Sequence, residues 1–255
     1  MTRVALFVAG LAGVFLAALA VGNVVDVEAR TVAAEPGHGD AMSAPAGLAL
    51  EQDGYRLVQE RGSLVAGRSR PYVFRILAPD GSVLRDYDVE HERRLHLIVV
   101  GREPDAPFLH LHPRQRADGA WSVPLELPSA GSYRVFADFT TDGERRTLAV
   151  DLAGAAGPPP AAFWDSIYAV KVREQGDRLV FDVRGDRGPV KTQPYLGAGG
   201  HLVVLREGDF AYIHAHAEED ELAFDVPFPS TGRYRLYLQF KVGGVVETAR
   251  MEVER

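Results

Sequence analysis

Histidine is the residue type in this chain whose number and spacing could support chemistry. Eight histidines occur among 255 residues, and six of them form two sets of three with the same order and nearly the same spacing. The sets are His96, His110 and His112, and His201, His214 and His216. Imidazole is the commonest protein ligand for transition metals. Each set is therefore a candidate metal site.

A predicted hairpin brings the first set together. The segment that begins at His96 and the segment that begins at Phe108 pair antiparallel if Val100 lies opposite Phe108. His96 then faces His112, and His110 lies diagonal to His96. Because side chains alternate along a strand with a period of two, all three imidazoles lie on one face of the hairpin.

The analogous register in the second set places His201 opposite His216, and Val203 opposite His214. Directly opposed Cβ atoms lie about 4.5 to 5.5 Å apart, and diagonal ones about 7 to 8 Å apart. Imidazoles that reach inward from these positions can bring three nitrogens to the roughly 2.0 to 2.1 Å that zinc requires, and copper is similar. Two other interpretations stay open: packed structural histidines that bond the backbone, and a catalytic base.

The composition narrows the choice of metal. The chain has no cysteine and three methionines, so it has few of the soft sulfur ligands that Cu(I) prefers. Cu(II) or Zn(II) is therefore favoured. Acidic residues at 218–221 follow His216, whereas the first set is flanked by Arg93, Arg94, Arg114 and Arg116. Because a dication prefers acidic surroundings, the second set is predicted to bind more tightly.

Other functional classes find little support. The net charge is -7 and no basic cluster follows a predicted strand, so a nucleic-acid partner is not expected. No nucleophile elbow, phosphate-cradling loop or marked carboxylate pair is present, and we expect no enzyme. Glu90 and Glu92, on either side of His91, are interpreted as a solvated turn.

The N-terminus is predicted to lie outside the fold. Val4 to Val25 is a run of 22 uncharged residues after Arg3, and a helix of that length spans about 33 Å. Residues 1–25 are therefore a membrane anchor or signal segment, and the length of the run favours a retained anchor over a cleaved signal. The positive-inside tendency places the remainder outside the cytoplasm. Residues 26–47 have the composition of a flexible linker.

The rest of the chain is predicted to be all-β and duplicated. Short apolar runs separated by Gly, Pro and Asp are typical of a β-sandwich. Residues 127–143 (LPSAGSYRVFADFTTDG) match residues 228–244 (FPSTGRYRLYLQFKVGG). We assign one sandwich domain to 48–152 and a second to 163–255, joined by a Pro/Gly linker at 153–162.

An immunoglobulin-like topology is favoured within each copy. A G-x-Y motif ends at Tyr133 and again at Tyr234, where such sandwiches place a tyrosine whose hydroxyl closes on the preceding corner. About seven strands per copy are expected. An Asp142-Gly143 turn is predicted to lead to a last strand at Arg145 to Asp151. A β-barrel is the alternative, because strand rhythm alone does not fix closure.

Several motifs resemble a group of secreted or membrane-anchored bacterial β-sandwich proteins that is common in actinobacteria and often found near copper or heavy-metal handling proteins. The motifs are Tyr195 to Leu205 (YLGAGGHLVVL), Ile213 to His216, Phe228 to Phe240, Leu95 to Val100 and His110 to Pro113. The resemblance implies an extracytoplasmic anchor and favours metal binding. Here His216 is followed by Ala217, where the group's pattern has proline.

These observations predict two tandem immunoglobulin-like β-sandwich domains after an N-terminal hydrophobic helix. The predicted function is a membrane-tethered, extracytoplasmic binding protein for Cu(II) or Zn(II), which it would bind, store or pass on. The alternative is a metal-free structural or adhesion module that binds a protein partner at the cell surface.

Overall fold

The computed structural model describes residues 45–60, 64–103, 107–155, 166–217 and 221–255, and these contain strands and turns but no helix. The strands of the first half are β1 (Glu51–Gln52), β2 (Tyr55–Gln59), β3 (Leu64–Val65), β4 (Arg70–Leu77), β5 (His96–Gly101), β6 (Phe108–Leu111), β7 (Arg114–Gln115), β8 (Trp121–Leu125), β9 (Gly131–Thr141) and β10 (Glu144–Ala155). Those of the second half are β11 (Ala169–Gln175), β12 (Arg178–Gly185), β13 (Gly188–Pro189), β14 (His201–Arg206), β15 (Tyr212–His216), β16 (Ala223–Asp225), β17 (Arg233–Val242) and β18 (Val245–Glu254).

Each half is a sandwich of two sheets. In the first half, the sheet β1-β2-β4-β8-β7 faces the sheet β3-β10-β9-β5-β6. The second half pairs β11-β12-β13, with β16 added to β12, against β15-β14-β17-β18. Phe74 and Val135 lie in the apolar core of the first sandwich, and Phe181 and Leu236 lie in that of the second. The predicted all-β class is confirmed.

The immunoglobulin-like corners also form as predicted. The hydroxyl of Tyr133 donates to the carbonyl oxygen of Ser129 at 2.7 Å, and that of Tyr234 donates to the carbonyl oxygen of Ser230 at 2.7 Å. The described residues thus form two tandem immunoglobulin-like sandwiches. More strands are present than the expected seven per half, because several two-residue edge strands complete the sheets.

The two halves pack through the outer faces of one sheet from each. Strand β9 is buried at nine successive positions, which requires cover on both of its faces. Its alternate residues Val135 and Ala137 fill the first sandwich, while Phe136 faces the second half. The ring of Phe136 stacks on Tyr212 at 4.7 Å, and Phe108 stacks on Tyr237 at 4.4 Å. A third apolar core therefore joins the halves into one compact unit.

Some residues of the two predicted linkers form part of the sandwiches in the structure. The sequence predicts that residues 45–47 belong to a flexible linker. In the structure, the backbone N–H of Tyr212 donates to the carbonyl of Ala46 at 2.9 Å, and that of Gly47 donates to the carbonyl of Thr147 at 3.2 Å. This segment satisfies backbone groups at the edges of β10 and β15. Strand β10 likewise continues to Ala155, beyond the predicted boundary at 152, because it pairs in parallel with β3.

The predicted N-terminal segment at 1–25 and the linker residues at 26–44 lie outside the described residues, as do residues 156–165 between the halves. In the part of the chain that is described, no helix has the length and apolar character to cross a membrane.

Candidate metal centre

The hairpins that carry the histidines have the predicted register. In the first half, Ile98 pairs with His110 and Val100 pairs with Phe108. In the second half, His201 pairs with His216, and Val203 pairs with His214. The prediction that each set of imidazoles shares one face of its hairpin is confirmed. One nitrogen from each histidine of a set lies within 4.8 Å of the others.

The shared face is the face between the two halves. Along β5, Ile98 and Val100 lie in the third core, so His96 points in the same direction by alternation. Along β14, Val203 places His201 on that face for the same reason. One end of the interface is therefore apolar, and the other end is lined with imidazoles.

The two sets consequently form one cluster. The ring of His96 lies 5.2 Å from that of His214, and the ring of His110 lies 5.4 Å from His214 and 5.7 Å from His201. The sequence indicated one site in each sandwich. The structure instead brings all six predicted ligands together, because both hairpins turn the same face toward the opposite half.

A seventh histidine joins this group. The ring of His91 stacks on His216 at a centroid distance of 3.7 Å, and it lies 5.8 Å from His201. The expected turn is present, since Glu90 and Arg93 exchange backbone hydrogen bonds, but it directs His91 into the cluster rather than into solvent. Strand alternation does not extend into a loop, so the position of His91 could not be predicted from the sequence pattern.

One polar residue orients the middle histidine of each set. Nδ1 of His214 donates to the carboxylate of Asp138 at 2.8 Å, and Nδ1 of His110 donates to Oε1 of Gln239 at 2.7 Å. Both oxygens can only accept a hydrogen bond, so each bond fixes the proton on Nδ1. Nε2 is then unprotonated, and its lone pair could bind a metal ion. Asp138 belongs to the first half and orients a histidine of the second, whereas Gln239 does the reverse.

These orienting residues occupy equivalent positions. Asp138 lies opposite His96 in the first half, and Gln239 lies opposite His201 in the second. Sequence reasoning did not identify either one. The matching segments 127–143 and 228–244 align them, and a buried charge in the middle of an apolar strand was the available signal.

Asp138 is ionised despite its burial. Its side chain is 2% exposed, and it accepts hydrogen bonds from Arg145 at 2.6 and 3.0 Å. Burial alone would raise the pKa of this carboxyl, but Arg145 and the bond from His214 outweigh burial and hold the pKa well below its usual range. The second half has Gln239 and Val246 at the corresponding positions and carries no such ion pair.

The cluster contains buried nitrogen atoms without partners. Nδ1 of His96 lies 2.9 Å from Nε2 of His110, and Nε2 of His201 donates to the carbonyl of Tyr195 at 3.0 Å. Five other ring nitrogens are buried and have no hydrogen-bond partner in the described part of the chain, namely Nε2 of His96, His112, His214 and His216 and Nδ1 of His201. Unpaired buried polar atoms are costly. A transition metal would satisfy them.

Burial also keeps these rings neutral. Desolvation, with a smaller contribution from neighbouring imidazoles, lowers the pKa of His96 to about 2 and that of His201 to about 3. Desolvation and then Arg93 lower the pKa of His112 to about 4. Ligation requires the neutral imidazole. The cluster is therefore in its metal-binding protonation state at neutral pH.

The charged groups near the cluster differ from those that the sequence suggested. Residues 218–220 lie outside the described residues, and Glu221 bonds to Arg178 at 3.3 Å. The buried carboxylate that reaches the second set is Asp138, which comes from the first half. The second set is therefore still the one beside a negative charge, but that charge is carried by Asp138, whereas the sequence pointed to the acidic residues at 218–221.

Comparison with known proteins places the chain in a family. The family model described as "Domain of unknown function (DUF8832)" matches residues 50–155 and 168–255, so one segment lies in each half. No curated protein matches the chain.

Several solved structures resemble the chain. The Escherichia coli adhesin FdeC has 15% identity over 80% of this chain and 65% of that chain, with a TM-score of 0.31. A two-domain fibronectin type III segment of chicken tenascin has 9% identity over 78% of this chain and 97% of that chain, with a TM-score of 0.23. Salmonella alpha-2-macroglobulin reacted with methylamine has 14% identity over 83% of this chain, with a TM-score of 0.30, and the chain spans 15% of its length.

Proposed function

The chain belongs to the DUF8832 family, and we propose that it binds a transition metal, Cu(II) or Zn(II), at the histidine cluster between its two halves. The observation that carries this proposal is the set of five buried ring nitrogens that have no partner among the described residues. A packed structural histidine would bond the backbone through its ring, as His201 does to Tyr195 with one of its nitrogens. In each set, one nitrogen of every histidine instead lies within 4.8 Å of a nitrogen from each of the other two.

The donor set supports this choice of metals. The six clustered ligands are imidazoles, and the nearest buried carboxylate, Asp138, is already bonded to Arg145 and His214. Imidazole suits zinc and copper, whereas magnesium and calcium prefer oxygen ligands. The absence of cysteine from the chain favours Cu(II) over Cu(I). The role that follows is to bind, store or pass on the ion.

The cellular location is part of the proposal. The uncharged run from Val4 to Val25 would act as a membrane anchor, with the two sandwiches outside the cytoplasm. Cleavage of that run would make the protein secreted. Both arrangements would place the cluster outside the cytoplasm.

The alternative function is a metal-free structural or adhesion module that binds a protein partner at the cell surface. FdeC, which is titled an adhesin, is among the solved structures that the chain resembles. In such a module the histidines would only fill the space between the halves. Metal content therefore separates the two functions.

The test uses full-length protein purified through an affinity tag that contains no histidine. We expect copper or zinc in the purified protein by elemental analysis, and a rise in melting temperature when either ion is returned to the stripped chain. A ligand that binds only the native state at 100 times its Kd stabilises that state by about 2.7 kcal/mol. Magnesium is the control and should leave the melting temperature unchanged. Substoichiometric metal with no thermal response would support the alternative.

A further inference from the structure

We propose that the cluster is a two-ion centre, in which each histidine set holds one ion and the two halves build both sites jointly. This inference rests on the proposed function, since it concerns the same cluster. It adds the number of ions, their proximity and their dependence on each other.

The number of donors argues for two ions. A zinc ion in a protein site takes four ligands, of which a catalytic or exchangeable site commonly supplies three from the protein. The cluster supplies three nitrogens in each set, and within a set they lie within 4.8 Å of one another. An ion in one set alone would leave the buried donors of the other set unsatisfied. A second ion satisfies them.

The ring positions agree with this division. The ring centroid of His112 lies 5.2 Å from that of His96 and 4.8 Å from that of His110. The ring centroid of His216 lies 4.8 Å from that of His201 and 4.3 Å from that of His214. His112 and His216 thus each lie close to the other two histidines of their own set. The sets meet at His96 and His214, whose centroids are 5.2 Å apart, so two ions would occupy neighbouring positions.

Each site depends on the opposite half. Asp138 of the first half fixes the ring of His214, and Gln239 of the second half fixes the ring of His110. Orienting bonds of this kind hold a ligand in its binding tautomer, and their loss weakens metal affinity about 10- to 100-fold. Binding at either set therefore requires the halves to be docked, and each ion stabilises the arrangement that the other ion needs. The two affinities are coupled, and the coupling is reciprocal.

The sites are also unequal. An anionic partner makes a metal-bound imidazole a stronger donor than a neutral amide partner does. His214 has the carboxylate of Asp138, whereas His110 has the amide of Gln239. The ion at His201, His214 and His216 is therefore the tighter of the two.

The experiment loads the full-length chain with Cu(II), removes free metal, and measures copper per chain together with the electron paramagnetic resonance spectrum. We expect two ions per chain and a spectrum in which magnetic coupling between neighbouring Cu(II) ions broadens or reduces the signal. Both readouts use the unmodified chain, so they do not depend on the folding of a variant. One ion per chain, or two ions without coupling, would overturn the two-ion centre while leaving metal binding intact. No bound ion would overturn the proposed function as well.

Variants assign the ions to their sets. His112→Gln and His216→Gln should each reduce the stoichiometry from two to one, restore an uncoupled Cu(II) spectrum, and weaken the remaining site. His38→Gln is the matched control, because His38 belongs to neither set of three histidines in the sequence, and the variant should retain two coupled ions. If both single variants kept two ions, the assignment of one ion to each set would be wrong.

Discussion

The two halves of the molecule carry the same set of three histidines, but they differ in the residues that orient these histidines. Both have three histidines on a hairpin, a closing tyrosine corner and an outer face buried against the other half. The first half places the ion pair of Asp138 and Arg145 beside the cluster, whereas the second has Gln239 and Val246 at those positions. The two halves thus share the histidines but differ in the groups that orient them. If the proposed metal binding holds, the orienting residues are where the two metal affinities would differ.

Acidification should produce the largest effect, and it tests whether the two sets behave as one buried cluster. The folded-state pKa is about 4 for His112 and about 3 for His201, below the usual 6.5, so the unfolded chain binds protons that the folded chain does not. The free energy of unfolding of the metal-free chain should therefore fall as the pH drops from about 6.5 toward 3. Urea denaturation at successive pH values, with a chelator present, measures this. A free energy that stays constant between pH 7 and 4 would contradict the burial of neutral imidazoles.

Separating the halves should have the next largest effect. Phe136→Ala removes a ring from the interface core, and we expect a loss of about 3 to 5 kcal/mol in unfolding free energy. Metal affinity should fall at both sets, because each needs an orienting residue from the opposite half. Phe74→Ala is the matched control, since Phe74 is equally buried but lies in the core of the first sandwich. It should cost similar stability, while the affinity of the chain that remains folded stays the same. Equal losses of affinity in the two variants would count against the shared centre.

Removing the buried charge should have a smaller effect on stability. Asp138→Asn leaves Arg145 without its anionic partner. We expect a loss of about 2 to 4 kcal/mol in unfolding free energy, less than for a fully buried pair, because the side chain of Arg145 is 39% exposed. Asp182→Asn breaks an exposed pair with Arg173 and should cost less than about 1 kcal/mol. Chemical denaturation of both variants makes the comparison. Equal costs would show that the charge of Asp138 contributes no more than a surface charge does.

A double variant that makes the two halves alike should affect folding least. It tests most directly what makes the metal affinities of the two histidine sets differ. The double variant Asp138→Gln, Arg145→Val gives the first half the pair of residues that the second half has. We expect the second histidine set to lose about 10-fold or more in affinity and to approach the first. Competition titration with a metal chelator resolves the two binding constants. An unchanged ratio between them would show that the orienting residues do not set the difference.

Much of this arrangement could be predicted from the sequence, because it follows from strand alternation. The pairing of Val100 with Phe108 and of His201 with His216 needed only the period of two and two short connections. The tyrosine corners followed from a local motif in the same way. These features depend on residues that are close together in the chain.

The features that were missed depend on contacts between distant segments. The runs Val135–Phe136–Ala137 and Leu236–Tyr237–Leu238 are apolar at every position, which is typical of a strand that is covered on both faces. No interface was predicted from this pattern, and the pattern does not say which surface covers the strand. His91 approaches the cluster through a loop, and Asp138 reaches a histidine that is 76 positions away in the chain. Neither contact has a sequence period that could indicate it.

The most direct test of the shared centre is anomalous X-ray diffraction from crystals of the copper- or zinc-loaded chain, recorded on both sides of the metal absorption edge. We predict two anomalous peaks between the hairpins β5–β6 and β14–β15, one within reach of each histidine set. Loaded crystals that show no peak between these hairpins, with the imidazole nitrogens still facing one another, would contradict the account.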